Sequence, residues 1–293
     1  MPEISSTFLT VGEVAAILKL SPEQIEGCAA RGELRIAQVA GERRIYRRHL
    51  DEFIDLVVGN GPPRPPEPEV LALLDQCVAV PQDQATAEQL ESAGIRADRV
   101  RRYDLARVIA SDAHCPPWAR TGRAGWWAQG YRLIVPLWDA KGRVRSVRAC
   151  RLGSASAWEG ADPVDPAKGS EPWKPIGLVM ADLAFLALLR HPSIPPGDHR
   201  YAAEAASKHG IVVACGVRSY LREATTIQEK GFDRAPVVGV LAGAWTADLA
   251  AAVPAGCGVR ILRDECSGEH AAEEVLPTMR ARGCECHIDA GNG

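Results

Sequence analysis

Two stretches near the carboxyl end carry residue types suited to phosphate chemistry. Ile211–Leu221 reads IVVACGVRSYL: a buried strand, a tight turn at Cys215-Gly216, then a helix. Such a turn sits at the carboxyl edge of a sheet, where parallel α/β sheets bind ligands. A second β-branched run, Gly258–Leu262, leads into Arg263-Asp264-Glu265-Cys266-Ser267-Gly268. Carboxylates at a strand end can hold a divalent cation that bridges phosphate oxygens. Asp264 and Glu265 are the weak metal candidates, and Arg263 beside them opposes a cation. Cys215 offers a thiol, which coordinates magnesium poorly. As a nucleophile it needs a lowered pKa and a base, and nothing places His209 or His270 beside it. Cys284, Cys286 and His287, with Cys266 and His270, offer zinc ligands at a spacing that matches no zinc signature.

A different chemistry is suggested by arginines interleaved with aromatics. The chain has 293 residues and net charge −3, so total charge announces no nucleic-acid partner. The charge is uneven: residues 96–151 carry 13 basic and 4 acidic side chains, net +9, while the rest is acidic. Tyr103, Trp118, Trp126, Trp127, Tyr131 and Trp138 lie in this block. Cations for phosphates and flat faces for unstacked bases are what a single strand requires. The expected contacts are Trp126, Trp127 and Arg132, then Arg143 and Arg145 on one face of a hairpin, with Arg148 on the other.

The elements that position these residues follow from caps and periodicity. Thr10-Val-Gly-Glu13 and Ser21-Pro-Glu-Gln24 are capping boxes, so two short helices follow one another with a turn near Leu20. Leu34–Val39 and Arg43–Tyr46 read as strands joined at Ala40-Gly41-Glu42, and a helix is expected from Arg48 to Val58. Gly59–Pro68 is a proline-rich spacer. Leu71–Val108 reads as helices broken at Pro81 and Gly94. Tyr131–Asp139 and Arg143–Leu152 read as a hairpin. From His209 on, strands at 209–213, 236–241, 258–262 and 284–288 alternate with helices, which implies a mostly parallel sheet with helices on both faces. The expected domains are 1–58, a linker 59–69, a basic subdomain 70–175 and an α/β domain 176–293. The composition, 46% apolar and 24% charged, is that of a soluble globular protein. With no secretory or transmembrane run, it is placed in the cytoplasm, away from membranes, with most of its nine cysteines reduced.

FLTVGEVAAILKLSPEQI, RGEL at 31–34 and GERRIYRRHLDEFI at 41–54 resemble the winged helix-turn-helix of the excisionase and MerR-like group. The resemblance implies that the second helix enters the major groove of double-stranded DNA and the wing touches its backbone. Gln24, Arg31, Arg43, Arg44, Arg47 and Arg48 become contact candidates; Glu23 and Glu26 oppose phosphates unless one accepts from a cytosine amino group.

GYRLIVPLWDAKGRVRSVRACRL resembles the hairpin of bacterial and phage-type primases, and EPWKPIGLV (171–179) the family's lysine-bearing strand, with Lys174 along the template groove. VVGVLAGAWTADLAAAVPAGCGVRIL (237–262) resembles the TOPRIM domain of primases and topoisomerases, as found in phages, plasmids and integrated elements. That family implies a glutamate where this chain has Cys215, followed by the retained Gly216, and paired aspartates where it has Arg263 and Glu265, or Asp264 and Cys266. Ser219 stands where a further acid is common. The resemblance therefore implies a retained fold without catalytic residues, metal or cofactor.

The function expected is non-catalytic DNA binding by an initiator, accessory or regulatory protein derived from a mobile-element replication protein. The alternatives are a magnesium-dependent primase or nuclease working through Asp264 and Glu265, and a protein-interaction adaptor.

Overall fold

The structure is a computed structural model and describes residues 8–18, 20–30, 34, 36–39, 41–46, 50, 64–111, 115–153, 158–166, 172–190, 196–226, 234–263 and 268–289. Met1–Gly61 and Pro62–Gly293 form two compact units.

The first unit runs β1 (Phe8–Thr10), α1 (Val11–Leu18), α2 (Pro22–Ala30), β2 (Ala37–Val39) and β3 (Glu42–Tyr46). Both capping boxes close reciprocally. The Thr10 N–H donates to Glu13 Oε2 (2.7 Å) while the Glu13 N–H donates to Thr10 Oγ1 (3.1 Å). The Ser21 N–H likewise donates to Gln24 Oε1 (2.8 Å). Each box satisfies helix-end donors that would otherwise lack partners. The strands order β1-β3-β2, all antiparallel. Gly41 takes the turn between β2 and β3 at φ +82°, a left-handed value that glycine adopts without strain. Leu9, Val14, Ile25, Leu34, Ile45 and Leu50 form the core. Strand β1 has no counterpart among the expected elements, because three residues are too few to show alternation. Apart from the buried Leu50, the helix expected over 48–58 lies outside the described residues.

The second unit begins with α3 (Glu67–Gln76), β4 (Val78–Ala79), α4 (Gln84–Ser92), α5 (Ala97–Arg102), β5 (Arg107–Val108), β6 (Arg120–Thr121), β7 (Ala124–Gly125), β8 (Leu133–Trp138), β9 (Val144–Arg151) and β10 (Glu159–Ala161). An antiparallel sheet orders β10-β9-β8-β5-β4. The last spacer residues belong to this unit: Arg64 Nη2 donates to the Ile176 carbonyl (2.7 Å). The stretch 172–179 is not a continuous strand, and forms isolated bridges at Pro172 and Val179.

There follow β11 (Met180–Ala181), α6 (Leu183–Leu189), α7 (Pro196–His209), β12 (Ile211–Cys215), α8 (Val217–Thr226), β13 (Val237–Val240), α9 (Ala247–Ala251), β14 (Gly258–Leu262), α10 (Gly268–Ala281) and β15 (Glu285–Asp289). Their sheet orders β11-β13-β12-β14-β15; β11 is antiparallel to β13 and the other pairs are parallel. The central β12 is buried throughout, as a strand covered on both faces must be. Gly239 in β13 leaves room for Tyr220, whose ring carbon Cγ would lie 2.7 Å from any Cβ there. Helices α6 and α7 pack on this part of the unit. Asp182 caps α6 at the Phe185 N–H (2.8 Å) and pairs, fully buried, with Arg234 (2.8 Å). Among the described residues no helix is long and apolar enough to cross a membrane.

Candidate nucleic-acid interface

In the first unit Ile25 and Cys28 turn inward and Ser21, Glu23 and Gln24 outward. That follows from the helical period, which leaves α2 one apolar stripe against α1 and one free face. The outer face is electrically balanced. Arg43 on β3 reaches Glu26 on α2, and Arg44 pairs with Glu42 at 2.5 Å. Hydrogen bonding from Ser21 and its own backbone hold the Glu23 carboxyl below the usual range. Gln24 commits its carbonyl oxygen to the capping box, so its amide cannot give the donor–acceptor pair that reads adenine without opening the cap. Arg31, Arg47 and Arg48 lie outside the described residues.

In the second unit, four arginines of the basic block are held in ion pairs. Arg143 pairs with Asp139 (2.9 Å), Arg145 with Glu67 (2.9 Å), Arg148 with Asp162 and Arg151 with Glu159. Three of these four carboxylates lie outside residues 96–151, so a charge count along the chain overstates the field at the surface. Trp126 corrects a sequence expectation. It is 0% exposed, set edge-on to Trp118 with ring centres 5.8 Å apart and planes at 77°. Its ring belongs to a second core with Ile109, Ile134 and Val147, out of reach of any base. Trp127 is half-buried under the guanidinium of Arg132 (5.2 Å). Lys174 is exposed. Sequence reasoning missed a further arginine–aromatic contact in this block, Arg151 over Tyr131 at 5.3 Å. The signal was present in the hairpin register, which brings the ends of β8 and β9 together.

At the strand end, Cys215 is fully buried as the last residue of β12. Gly216 follows at φ +92°, its N–H bound to the Val240 carbonyl (2.9 Å). Ser219 is buried on α8. Asp264 and Glu265, with Cys266, lie outside the described residues. Arg263 is described and its Nε is buried without a hydrogen-bond partner. Among the described residues no three His, Cys, Asp or Glu side chains group to hold a metal ion. The sulfurs of Cys284 and Cys286 lie 3.7 Å from the carbonyl oxygens of Pro254 and Cys284 respectively. Burial pushes the neighbouring Cys257 thiol up to about 12.

Residues 8–55 match the helix-turn-helix domain family, so the first unit carries a helix-turn-helix domain. The whole chain aligns with 71% of the Aquifex aeolicus primase in the crystal structure of its zinc-binding and RNA polymerase domains, at 15% identity and a TM-score of 0.44. No curated protein matches the chain.

Proposed function

We propose that this protein binds duplex DNA through its helix-turn-helix unit, and that its second unit is a primase-like body of TOPRIM type that performs no metal-dependent chemistry. The observation that carries the first part is the helix-turn-helix match over residues 8–55, with Ser21 just before α2 and Glu23 and Gln24 on it exposed. In this reading the β2–β3 hairpin is a wing, and Arg43 and Arg44 exchange their carboxylates for phosphates on DNA. The second part is supported by Cys215: a fully buried thiol at the end of β12 offers neither a proton-transfer group nor a ligand for a hard cation. The role that fits both is an initiator, accessory or regulatory protein derived from a mobile-element replication protein.

A second reading has a specific observation behind it. The Arg43–Glu26 and Arg44–Glu42 pairs leave the described face of the first unit without excess positive charge, which suits a protein partner as well as DNA.

Binding of duplex DNA across a salt series separates the two. Replacing Arg43 and Arg44 by Ala is expected to weaken binding to all sequences. The slope of log K against log salt is expected to flatten by about 0.9 for each phosphate that is no longer neutralised. Unchanged affinity and slope favour the interaction module. A primer-synthesis and strand-cleavage assay with magnesium or manganese tests the body. Activity abolished by replacing both Asp264 and Glu265 with Ala overturns the non-catalytic reading.

A further inference from the structure

Strands β14 and β15 run parallel, with Gly258 opposite Glu285 and Val259 opposite Cys286. Each strand is entered through a glycine in the left-handed region, Gly256 and Gly283, both at φ +74°. A cysteine follows each glycine: Cys257 just before β14 and Cys284 just before β15. The Gly256 N–H donates to the Arg282 carbonyl (3.2 Å). The two turns are therefore joined on one side of the cysteines, and the two strands on the other.

This frame brings two thiols together away from water. Cys257 and Cys284 are 5% and 6% exposed. The thiol of Cys257 is in hydrogen-bonding contact with that of Cys284. Neighbouring strands lie about 4.8 Å apart, inside the Cα span of about 4.4–6.8 Å that a disulfide bridges. The position is also one where a covalent tie adds most. Strand β15 is the edge of its sheet, with four of its five residues exposed, so little burial holds it in place.

We propose that Cys257 and Cys284 form a peroxide-sensitive dithiol, which closes to a disulfide that ties the edge strand β15 to β14. The inference stands apart from the duplex-binding reading, because both cysteines lie in the second unit. One thiolate attacks hydrogen peroxide: an S–O bond forms, the O–O bond breaks and hydroxide leaves. The other thiolate attacks the resulting sulfenic acid: the S–S bond forms, the S–O bond breaks and a second hydroxide leaves. The two thiol protons convert both hydroxides to water. The thiols lose two electrons and the peroxide gains them. Peroxide is small enough to reach a site that bulkier reagents do not enter. The thiolate is the reacting form, and burial pushes the Cys257 thiol up to about 12, so closure is slow at neutral pH and quickens as pH rises. The closed loop contains residues 263–268 and α10.

The test incubates the full chain overnight with hydrogen peroxide at about pH 8.5, then unfolds it and blocks the remaining thiols. Peptide mapping is expected to find Cys257 joined to Cys284, and dithiothreitol to restore both thiols. A parallel incubation at about pH 7 is expected to give less of the same bond. Hydrogen exchange at the β15 amides is expected to slow in the bonded chain. Cys257→Ser and Cys284→Ser are each expected to abolish the bond, whereas Cys286→Ser retains it. The map of the wild-type chain decides the matter even where a serine variant fails to fold. If Cys257 and Cys284 are recovered as separate thiols or higher oxides, or bonded to other cysteines, the proposal is overturned. Unchanged exchange at β15 in the bonded chain overturns the tie.

Discussion

Glu26→Gln tests whether the Arg43–Glu26 pair masks a DNA contact. The side chains are 52% and 38% exposed, so water screens the pair and its loss changes stability by no more than about 1 kcal/mol. Wild type and variant can then be compared at equal fold. The variant gains one uncommitted guanidinium on β3 and loses one negative charge on α2. If that guanidinium reaches one further phosphate, log K against log salt steepens by about 0.9. Lowering salt from about 200 to about 50 mM is a change of roughly 0.6 log units, so the variant gains about 3.5-fold more affinity than wild type over that interval. Fluorescence anisotropy on one duplex at four salt concentrations measures both the slope and the intercept. An unchanged slope together with unchanged affinity refutes the masking argument, whereas an unchanged slope with tighter binding means that Arg43 already neutralises a phosphate in the wild-type complex. A fall in affinity of more than about tenfold at every salt concentration, with relaxed sequence preference, refutes the masking argument in another way. It makes Glu26 a reader of a cytosine amino group, an interaction worth about 1–3 kcal/mol of discrimination.

The buried positions make further predictions. Cys215→Glu places a carboxylate at a fully buried strand end and is expected to destabilise the second unit by several kcal/mol; an unchanged thermal midpoint contradicts the burial. The same variant acquires no magnesium-dependent activity in a primer-synthesis assay. Trp126→Ala empties a packed site against Trp118 and is expected to cost about 3–5 kcal/mol in denaturant unfolding, with single-strand affinity per folded molecule unchanged. Weakened affinity at full stability returns Trp126 to the interface. Burial pushes the thiols of Cys77, Cys150 and Cys257 up to about 12. The folded state therefore keeps protons that the unfolded chain releases above about pH 8.5. Stability contributed by these thiols is complete below that pH and falls progressively as pH rises toward 12. Native alkylation at pH 8 leaves the three cysteines unmodified over times that fully modify the unfolded chain, as peptide mass mapping reads directly.

Much of the local structure was determined by residues close together in the chain. The capping boxes at Thr10–Glu13 and Ser21–Gln24 formed as their sequences dictate, because each bond spans three residues. Gly258–Leu262 became a strand with those bounds, since five residues between a glycine and a charged turn leave little alternative. The parallel sheet was legible in the same way, from β-branched runs alternating with helical ones. The match over residues 8–55 agrees with a reading built on those caps and glycines.

Only the tertiary structure decided which charges and rings remain available. The carboxylate that takes Arg145 comes from Glu67, 78 residues away, and the one near Arg132 comes from Asp83 on the turn before α4. No window along the chain contains those pairs, so the net +9 of residues 96–151 could not be discounted beforehand. Trp126 and Trp127 are neighbours in sequence, yet one lies against Trp118 in a core and the other lies under Arg132. Residue type was the same for both, and the difference came from the turn that directs one ring inward. The Arg151 stack on Tyr131 depends on where β8 lies against β9, which long-range pairing sets. Propensity and capping act over one helical turn, whereas counter-ions, burial and register are properties of surfaces that meet only when the chain has folded.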